Sequence, residues 1–375
     1  MNPIVIGEGL THSGGDVFGM RNIKNLVIDG MNNLKLVAGT EQNNQKPRSL
    51  IFLGGDEGYD SSENVVIKNI ELDGMFYDID ETYWGSNGAK WGYKGSHTSN
   101  IALCNLDVHN IREQHGFYQN VADKNLEFVH NTIDTVQWTC IQVRSDEVTP
   151  ETLKIIIADN VCSNSCDASA ITVSDPGNTW IHGNTVIDTV GGFASLDSDG
   201  ANQYPDEDKR DHRFANIYLY NNKFLFDQDP IQNKWDPPNN ACATFRSKYN
   251  FKKGGADFYS QNNVFIYINE AAQSSRIIYS RESTSDDQIY YPDGEVHIAN
   301  LAESDNNVYG LGQPGADEQS RFGQWGWQSL TDPVILNSEE WQMNMEQYDK
   351  LAYDTNSRFE YGPEAVQELI DEYFY

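Results

Sequence analysis

A short pattern that occurs three times within residues 125–200 constrains the fold of this chain more than any other feature. The three copies begin at Asn125, Leu153 and Asn178, and in each an apolar alternation adjoins an Asn. Each copy is followed by a second alternating stretch, of which Cys140-Ile-Gln-Val-Arg is one example. Self-similarity at a period of roughly 24 to 29 residues indicates a structure built from stacked units.

The wider chain repeats an Asn that is followed by a short apolar alternation. This Asn recurs at uneven steps, at positions Asn69, Asn105, Asn131, Asn160, Asn184, Asn222, Asn263 and Asn307. The steps between successive Asn residues share a minimum length and exceed it by variable amounts. Such spacing is typical of a solenoid that has one unit per turn and inserted loops of different lengths. The unit is too short for a propeller blade and lacks a helical period. The sequence therefore predicts an all-β fold, a parallel β-helix, whose Asn column is architectural because Asn tolerates tight turns.

Two groups of motifs carry a resemblance to known proteins. Residues 22–309 contain the pattern Asn-x-x-Ile-x-x-Asn-x-Ile, and His115-Gly-Phe-Tyr opens a strand. Near the C-terminus lie Glu340-Trp-Gln, Tyr348-Asp-Lys and Asp354-Thr-Asn-Ser. Together they resemble the right-handed parallel β-helix superfamily, which includes polysaccharide lyases, polygalacturonase-like glycosidases, mannuronan epimerases and phage tailspikes. The resemblance implies a right-handed solenoid that acts on or binds a polysaccharide.

The sequence predicts three segments. Residues 1–21 are an N-terminal lead-in or cap, residues 22–310 form the β-helix, and residues 311–375 change in character. A solenoid must cover its last open turn, because unpaired strand edges promote aggregation. We therefore expect the third segment to be a C-terminal cap.

Two helices are expected in that cap. The first runs from Ser338, its N-cap, to about residue 351, with acidic residues in its first turn. The second covers residues 363–373. Its apolar side consists of Ala365, Val366, Leu369 and Ile370.

Charge restricts the partners of the chain. It has 56 Asp and Glu against 26 Lys and Arg, which gives a net charge of −30. This acidity argues against nucleic acid, which needs a basic surface, and against anionic membranes. The sequence has no apolar run of about 18 residues that could span a bilayer. The carboxylates are compatible with bound Ca²⁺, although no cofactor is indicated directly.

The N-terminal residues and the cysteines give two further predictions, one on the location of the protein and one on its disulfides. The first residues lack the basic and apolar segments of a signal peptide. We therefore expect an extracellular or virion-associated protein that leaves the cell by another route, or a chain that begins after processing. The five cysteines predict buried free thiols, and a disulfide between Cys162 and Cys166 stays open.

Alignment of the second strand of each repeat gives a register. The residues expected to point inward are Ile141, Val143, Ile171, Val173, Ala194, Leu196, Ala243 and Phe245. One outward column then contains Tyr118, Gln142, Thr172, Ser195 and Thr244. The next outward column contains Asn120, Arg144, Ser174, Asp197 and Arg246. Polar and charged side chains in register on one exposed face predict a substrate groove.

The candidate site residues lie on this face and on the long insertions beside it. The candidate catalytic residues are Arg144, Asp175, Asp197, Asp199 and Arg246. The candidate substrate-binding residues are His115, Tyr118 and Lys248, with the insertion aromatics Trp84, Trp91, Tyr93 and Trp235. Asp206 and Asp208 are the metal candidates, and the histidines show no spacing typical of metal ligands.

Two chemistries fit these residues. Hydrolysis of a glycoside needs two carboxyl groups, and Asp197 and Asp199 would lie about 7 Å apart along a strand. Elimination needs a base and a cation that neutralises a uronate. The available groups are Arg144, Arg246, Lys248, His115 and Tyr118. Repulsion of a polyanion by the acidic chain favours a weakly charged glycan.

These arguments predict a polysaccharide-degrading enzyme, either a glycoside hydrolase or a lyase. The alternative is a glycan-binding tailspike or adhesin without catalysis, for which a homotrimer is one expected form. An epimerase-like activity is a third alternative by fold analogy alone.

Overall fold

The computed structural model describes the chain in a series of segments. The described residues are 15–38, 48–54, 61–75, 88–112, 114–120, 124–144, 154–165, 169–174, 178–189, 191–196, 216–226, 241–246, 258–268, 276–281, 301–325, 334–343 and 353–375. Cys104, Cys140 and Cys162 are free thiols, so the disulfide between Cys162 and Cys166 does not form.

An 11-stranded sheet, which we call face A, forms one side of the molecule. Its strands are β1 (Phe18–Arg21), β3 (Ser49–Gly54), β5 (Trp91–Ser96), β8 (Phe117–Gln119), β11 (Ile141–Arg144), β14 (Ser169–Ser174), β17 (Gly191–Leu196), β20 (Ala241–Arg246), β23 (Arg276–Arg281), β26 (Gly323–Trp325) and β27 (Val334–Leu336). Each strand pairs in parallel with the next in this order, until β26 and β27 pair antiparallel.

A 17-stranded sheet forms the other two sides, which we call face B and face C. The long strands β2 (Lys24–Val37) and β4 (Ser62–Asp73) contribute to both faces, because β4 pairs with β6 near its start and with β7 near its end. Face B continues through β6 (Thr98–Cys104), β9 (Leu126–Val129), β12 (Lys154–Ala158), β15 (Asn178–His182), β18 (Ile217–Tyr220), β21 (Phe258–Gln261) and β24 (Leu301–Asp305). Face C continues through β7 (Asp107–Ile111), β10 (Thr132–Val136), β13 (Val161–Ser165), β16 (Thr185–Ile187), β19 (Lys223–Phe226), β22 (Val264–Tyr267), β25 (Val308–Leu311) and β28 (Arg358–Tyr361).

The order of the strands along the chain makes the fold a solenoid. Successive strands visit face A, then face B, then face C, and the next turn stacks on the previous one by parallel pairing. The inward residues of each strand form columns in a continuous core, as with Ile141, which pairs with Phe117 and Ile171. This arrangement confirms the predicted all-β parallel β-helix. The boundaries predicted at residues 21 and 310 stay predictions, although parallel pairing itself continues to Tyr361.

A ladder of buried Asn side chains runs inside the turn between faces B and C. Its members are Asn131, Asn160, Asn184, Asn222, Asn263 and Asn307. Each Nδ2 before Asn307 donates to the Oδ1 of the next Asn, at 2.9 Å from Asn160 to Asn184 and at 2.9 Å from Asn184 to Asn222. Each backbone N–H of one turn donates to the same Oδ1, so the ladder satisfies polar groups that are buried in the turn. The architectural role predicted for the Asn column is confirmed for these six.

Asn69 and Asn105 belong to a different, exposed column, in which Asn105 Nδ2 donates to Asn69 Oδ1 at 2.7 Å, so the prediction of a single Asn column is wrong. Both have positive φ, and the ladder position beside them is occupied by Ile70 and Leu106. The same left-handed position precedes each ladder Asn, at His130, Asp159, Gly183, Asn221, Asn262 and Asn306. A left-handed residue reverses the chain sharply, and Asn, Asp and Gly adopt this conformation at low cost.

The C-terminal segment contains two helices. Helix α1 (Ser338–Gln342) is shorter than predicted, and its N-cap is Asn337 instead of Ser338. Asn337 and Glu340 form a capping box, in which each side chain accepts a hydrogen bond from the backbone N–H of the other. Helix α2 (Pro363–Phe374) confirms the second prediction, with Val366, Leu369 and Ile370 buried.

Helix α2 covers the outer surface of face C near the end of the solenoid. Its apolar side packs on a cluster that contains Leu225, Val264 and Ile266. Gly310 makes this contact close, because a Cβ there would lie 3.1 Å from a Leu369 methyl group. No helix of the described residues is long and apolar enough to cross a membrane.

Candidate functional site

The register of face A differs from the predicted one at β17. Ile171 pairs with Phe193 and Ser174 pairs with Leu196, so β17 is shifted by one residue. A shift of one residue moves every side chain of a strand to the opposite side. The predicted alignment of Ala194 with Ile171 is therefore wrong, because the buried Phe193 takes that place.

Several candidate residues lie outside the described residues. They are Trp84, Asp175, Asp197, Asp199, Asp206, Asp208, Trp235 and Lys248. Arg246 closes β20, where its backbone pairs with that of Arg281. Arg144 closes β11 and pairs with Ser174. The structure therefore describes the backbone positions of the two arginines, and their catalytic roles stay predictions.

Trp91 and Tyr93 lie in a strand instead of an inserted loop. Both belong to β5, in which Trp91 is half-buried and Tyr93 is fully buried. The Tyr93 hydroxyl donates to Gln119 Oε1 at 3.2 Å, and burial raises the pKa of Tyr93. Tyr93 is therefore a core residue, and its prediction as a substrate-binding residue is wrong.

Four aromatic rings meet on and beside face A, and we call them the aromatic cluster. Trp91 stacks on Tyr118 with 6.3 Å between ring centroids, and Tyr118 stacks on His115 at 5.0 Å. His115 in turn stacks on Trp138 at 5.3 Å. Trp138 is 40% exposed, so the cluster ends on a ring that solvent can reach. The sequence-predicted residues Trp91, His115 and Tyr118 are thus brought together.

Two cations flank the aromatic cluster. Lys94 Nζ lies 4.4 Å from the centroid of the Trp91 ring, which is a cation–π contact. Partial burial, reinforced by the charge of Arg48, lowers the pKa of Lys94. Burial, with the nearby positive charge of Arg144, lowers the pKa of His115 to about 3. His115 is therefore a neutral, enclosed ring at neutral pH.

Polar atoms of the cluster supply hydrogen-bonding capacity. The Tyr118 hydroxyl donates to Asn120 Oδ1 at 3.0 Å. Trp91 Nε1 and His115 Nδ1 are buried and have no hydrogen-bond partner among the described residues. Buried polar atoms normally have partners. An exposed indole with hydroxyl and amide groups beside it suits a sugar, whose C–H face stacks on rings while its hydroxyls form hydrogen bonds.

A second group of side chains lies on face C, where the end of β4 pairs with β7. Glu71, Asp73 and His109 place ligand atoms within 4.8 Å of one another, in the geometry of a metal site. However, Lys35 Nζ lies 2.7 Å from Glu71 and 3.1 Å from Asp73, so it forms an ion pair with each of the two carboxylates. Hydrogen bonds from Lys35 and His109 lower the pKa of Glu71. Because the Lys35 ammonium group lies between these side chains, the cluster is an ion-pair network on the sheet.

Sequence reasoning missed Trp138 and the cluster around His109. Trp138 precedes β11 and belongs to no alternating pattern, although it lies within three residues of the recognised strand. His109 meets Asp73 because β4 and β7 pair in register across 36 residues.

Comparison of the chain with protein-family models gives no match, and comparison with curated proteins gives none either. The structure therefore supports the parallel β-helix itself, and the superfamily remains a resemblance.

Proposed function

We propose that this protein binds an extended polysaccharide along face A, in an extracellular or virion-associated setting. The observation that carries the proposal is the aromatic cluster, which ends on the exposed ring of Trp138. Loops and strand ends on a rigid solenoid hold such rings in place, and a pre-organised surface binds with little loss of conformational entropy.

The geometry of the solenoid supports an extended ligand. Trp91, Tyr118 and Trp138 come from successive turns, since they belong to or adjoin β5, β8 and β11. Successive strands of a sheet lie about 4.8 Å apart, which is close to the advance per sugar unit in an extended chain. Gln142 and Asn120 add amide groups beside the rings. A glycan that crosses the strands would therefore meet rings and amides at regular intervals.

Cleavage of the glycan by elimination is the second candidate function. It is favoured by the Tyr118 hydroxyl, which could take a proton from the sugar after losing its own proton to solvent, and by the cation Arg144 beside His115, which stacks on Tyr118. A cation stabilises the negative charge that develops when the proton beside a uronate carboxylate is removed. Hydrolysis would depend on carboxylates such as Asp197 and Asp199, which lie outside the described residues.

The test is a binding assay on a panel of polysaccharides with two tryptophan variants. Trp138→Ala should weaken binding about tenfold, because it removes a stacking ring worth about 1.4 kcal/mol. Trp180→Ala is the matched control, because Trp180 stacks on Tyr218 at 5.4 Å on face B. Equal loss in both variants, or no binding to any polysaccharide, would refute the proposal.

The same samples test cleavage. Elimination creates an unsaturated sugar that absorbs ultraviolet light, whereas hydrolysis creates reducing ends without that absorbance. Binding with neither product would leave a glycan-binding protein and reject the enzyme.

A further inference from the structure

Two C-terminal motifs of the sequence meet at one buried carboxyl group. Asp354 is 1% exposed, and its Oδ2 accepts a hydrogen bond from Trp341 Nε1 at 2.6 Å. The neighbouring Gln342 donates from Nε2 to the backbone oxygen of Asp354 at 2.9 Å. Ser357 Oγ donates to Asp354 Oδ1 at 2.7 Å. The motifs Glu340-Trp-Gln and Asp354-Thr-Asn-Ser therefore form one structural unit, to which glycan binding on face A assigns no role.

The same carboxyl group bonds side chains that come from all three faces. Ser304 Oγ, near the end of β24 on face B, donates to Asp354 Oδ2 at 2.8 Å. The Tyr309 hydroxyl, in β25 on face C, donates to Asp354 Oδ1 at 3.0 Å. Helix α1, which carries Trp341, follows β27 of face A. Burial of a carboxyl group is costly unless hydrogen-bond donors surround it, so the position of Asp354 depends on all three segments.

Asp354 and Ser357 together take the place of a further ladder asparagine. Within the ladder one oxygen serves two donors, as Asn307 Oδ1 accepts from Asn263 N at 2.9 Å and from Asn263 Nδ2 at 3.2 Å. The donors of Asn307 are instead divided, because its N–H donates to Ser357 Oγ at 2.8 Å and its Nδ2 donates to Asp354 Oδ1 at 3.0 Å. An Asn side chain has a single acceptor oxygen, whereas a carboxyl group has two. The second oxygen of Asp354 accepts from Ser304 and Trp341, so this residue connects the ladder to α1.

Trp341 also covers the end of the core. Its ring is fully buried and its centroid lies 5.6 Å from that of Phe322 and 5.4 Å from that of Tyr353. Phe322 in turn meets Tyr309 at 4.9 Å. Helix α1 has only five residues, and so short a helix is marginal without contacts to the rest of the protein. The bond between Trp341 and Asp354 therefore holds α1 over these rings.

We name the side chains around this carboxyl group the Asp354 latch. It consists of Asp354 and the residues bonded to it, which are Ser304, Asn307, Tyr309, Trp341, Gln342 and Ser357. We propose that the Asp354 latch is a conformational device that closes the C-terminal end of the solenoid and can open while the earlier turns stay folded.

The pairing of the strands supports separate opening of this end. Strands of the middle turns pair on both sides, as β22 does with β19 and β25. Strand β28, which follows Asp354 and Ser357, pairs with β25 alone in the described part of the chain. Segments that few bonds hold open locally at a lower free energy than the whole protein unfolds. Opening of the latch would break the bonds to Asp354 and leave the ladder before Asn307 intact.

Hydrogen exchange followed by mass spectrometry tests this proposal on the full chain. Trp341→Phe keeps an aromatic ring over the core but removes the Nε1–H that bonds Asp354. We expect the amides of residues 301–311 and 353–362 to exchange about tenfold faster in this variant, since a hydrogen bond to a charged group is lost. The amides of residues 154–165 and 178–189 should exchange as in the unmodified protein. Trp180→Phe makes the same chemical change on face B, where Trp180 stacks on Tyr218, and should leave residues 353–362 unchanged.

A second substitution shows whether Trp341 acts through Asp354. Asp354→Asn keeps an oxygen for Asn307 but cannot accept from both Ser304 and Trp341 as the carboxyl group does. The double variant with Trp341→Phe should therefore exchange no faster than Asp354→Asn alone. Gln342→Ala removes only the bond to Asp354 O, so it should accelerate the same residues by a smaller factor and serves if Asp354→Asn does not fold.

Three results would overturn the proposal. The first is unchanged exchange of residues 353–362 in Trp341→Phe. The second is an equal acceleration in all four ranges, because the end would then open only when the whole solenoid unfolds. The third is an additive acceleration in the double variant, because Trp341 would then act by packing and not through Asp354.

Discussion

Replacement of one interior asparagine should destabilise the whole solenoid. Asn184 lies in the middle of the ladder, where its Oδ1 accepts from Asn160 N at 3.0 Å and from Asn160 Nδ2 at 2.9 Å. Its Nδ2 donates to Ile157 O and to Asn222 Oδ1, both at 2.9 Å. Leu has a similar size, but Asn184→Leu removes all four of these hydrogen bonds from a site that is fully buried.

The magnitude follows from the groups that lose partners. The buried N–H of Asn160 is left without an acceptor, which costs about 1 to 3 kcal/mol. The lost bonds to Ile157 O and Asn222 Oδ1 cost about 1 kcal/mol each. Asn160 Nδ2 keeps its bond to Phe128 O, so its loss is smaller. Asn184→Leu should therefore lower the free energy of unfolding by about 3 to 5 kcal/mol.

Urea unfolding followed by circular dichroism measures this change. Asn125→Leu is the matched control, because Asn125 is exposed and its Nδ2 donates to Asn100 Oδ1 at 3.0 Å outside the interior ladder. The control should lose less than about 1 kcal/mol. A similar loss in both variants, or a loss below about 1 kcal/mol for Asn184→Leu, would refute the view that the ladder holds the turns together.

Other predictions concern the C-terminal part. Gly310→Val should separate α2 from face C and destabilise the protein by about 1 to 3 kcal/mol, because the new side chain would meet Leu369 and Val366. Thermal unfolding measures this loss, and an unchanged midpoint would contradict the prediction. Burial raises the pKa of Asp354 above its ordinary value, against the hydrogen bonds from Asn307 and Trp341. The folded state therefore binds this proton more tightly than the unfolded state, and the stability it contributes is lost as the pH rises through the raised pKa. In Asp354→Asn the stability should depend less on pH. At low pH the variant should be less stable than the unmodified protein, since Trp341 Nε1 loses its acceptor. Unfolding measured at several pH values checks this, and an unchanged dependence on pH would contradict a raised pKa of Asp354.

The fold could be predicted from the sequence because its repeating residues are tied to the geometry of one turn. The interior asparagines and the alternating apolar residues each occupy a fixed place in the coil, so their recurrence reveals the coil directly. The helix α2 was also predictable, since Val366, Leu369 and Ile370 follow a helical period. The N-cap of α1 was misplaced by one residue because Asn337 and Ser338 are both capable of capping.

The register of β17 could not be predicted reliably from its own residues. Gly191, Gly192 and Ala194 are small, so they fit the inner or the outer side of the sheet equally well. Phe193 decides the register, because its ring fills the core where Ile171 lies in the preceding turn. The position of Phe193, the largest apolar side chain of the strand, therefore indicates the register better than the alternation of the small residues does.

The aromatic cluster depends on contacts between turns. His115 and Trp138 lie outside the strands, in successive turns. Their rings stack because one turn of the solenoid lies directly on the next. The alternation in the sequence shows the period of the strands, but it does not show the path of the residues that connect them. The candidate residues could be named individually, whereas their arrangement required the three-dimensional structure.

The interior ladder also has an electrical polarity. Each side-chain amide from Asn131 to Asn307 accepts at Oδ1 from the turn before it and donates one Nδ2 hydrogen to the turn after it, so the amide dipoles align head to tail. Its other Nδ2 hydrogen goes to a backbone oxygen of the turn before, such as Ile157 O for Asn184. As in an α-helix, aligned dipoles leave a partial positive charge at the donor end. That end meets Asp354, whose Oδ1 accepts from Asn307 Nδ2 at 3.0 Å. The ladder thus behaves as a macrodipole with the Asp354 carboxyl group at its positive pole. Because hydrogen bonds in a chain polarise one another, substitutions at distant ladder positions should not be additive in their effect on stability.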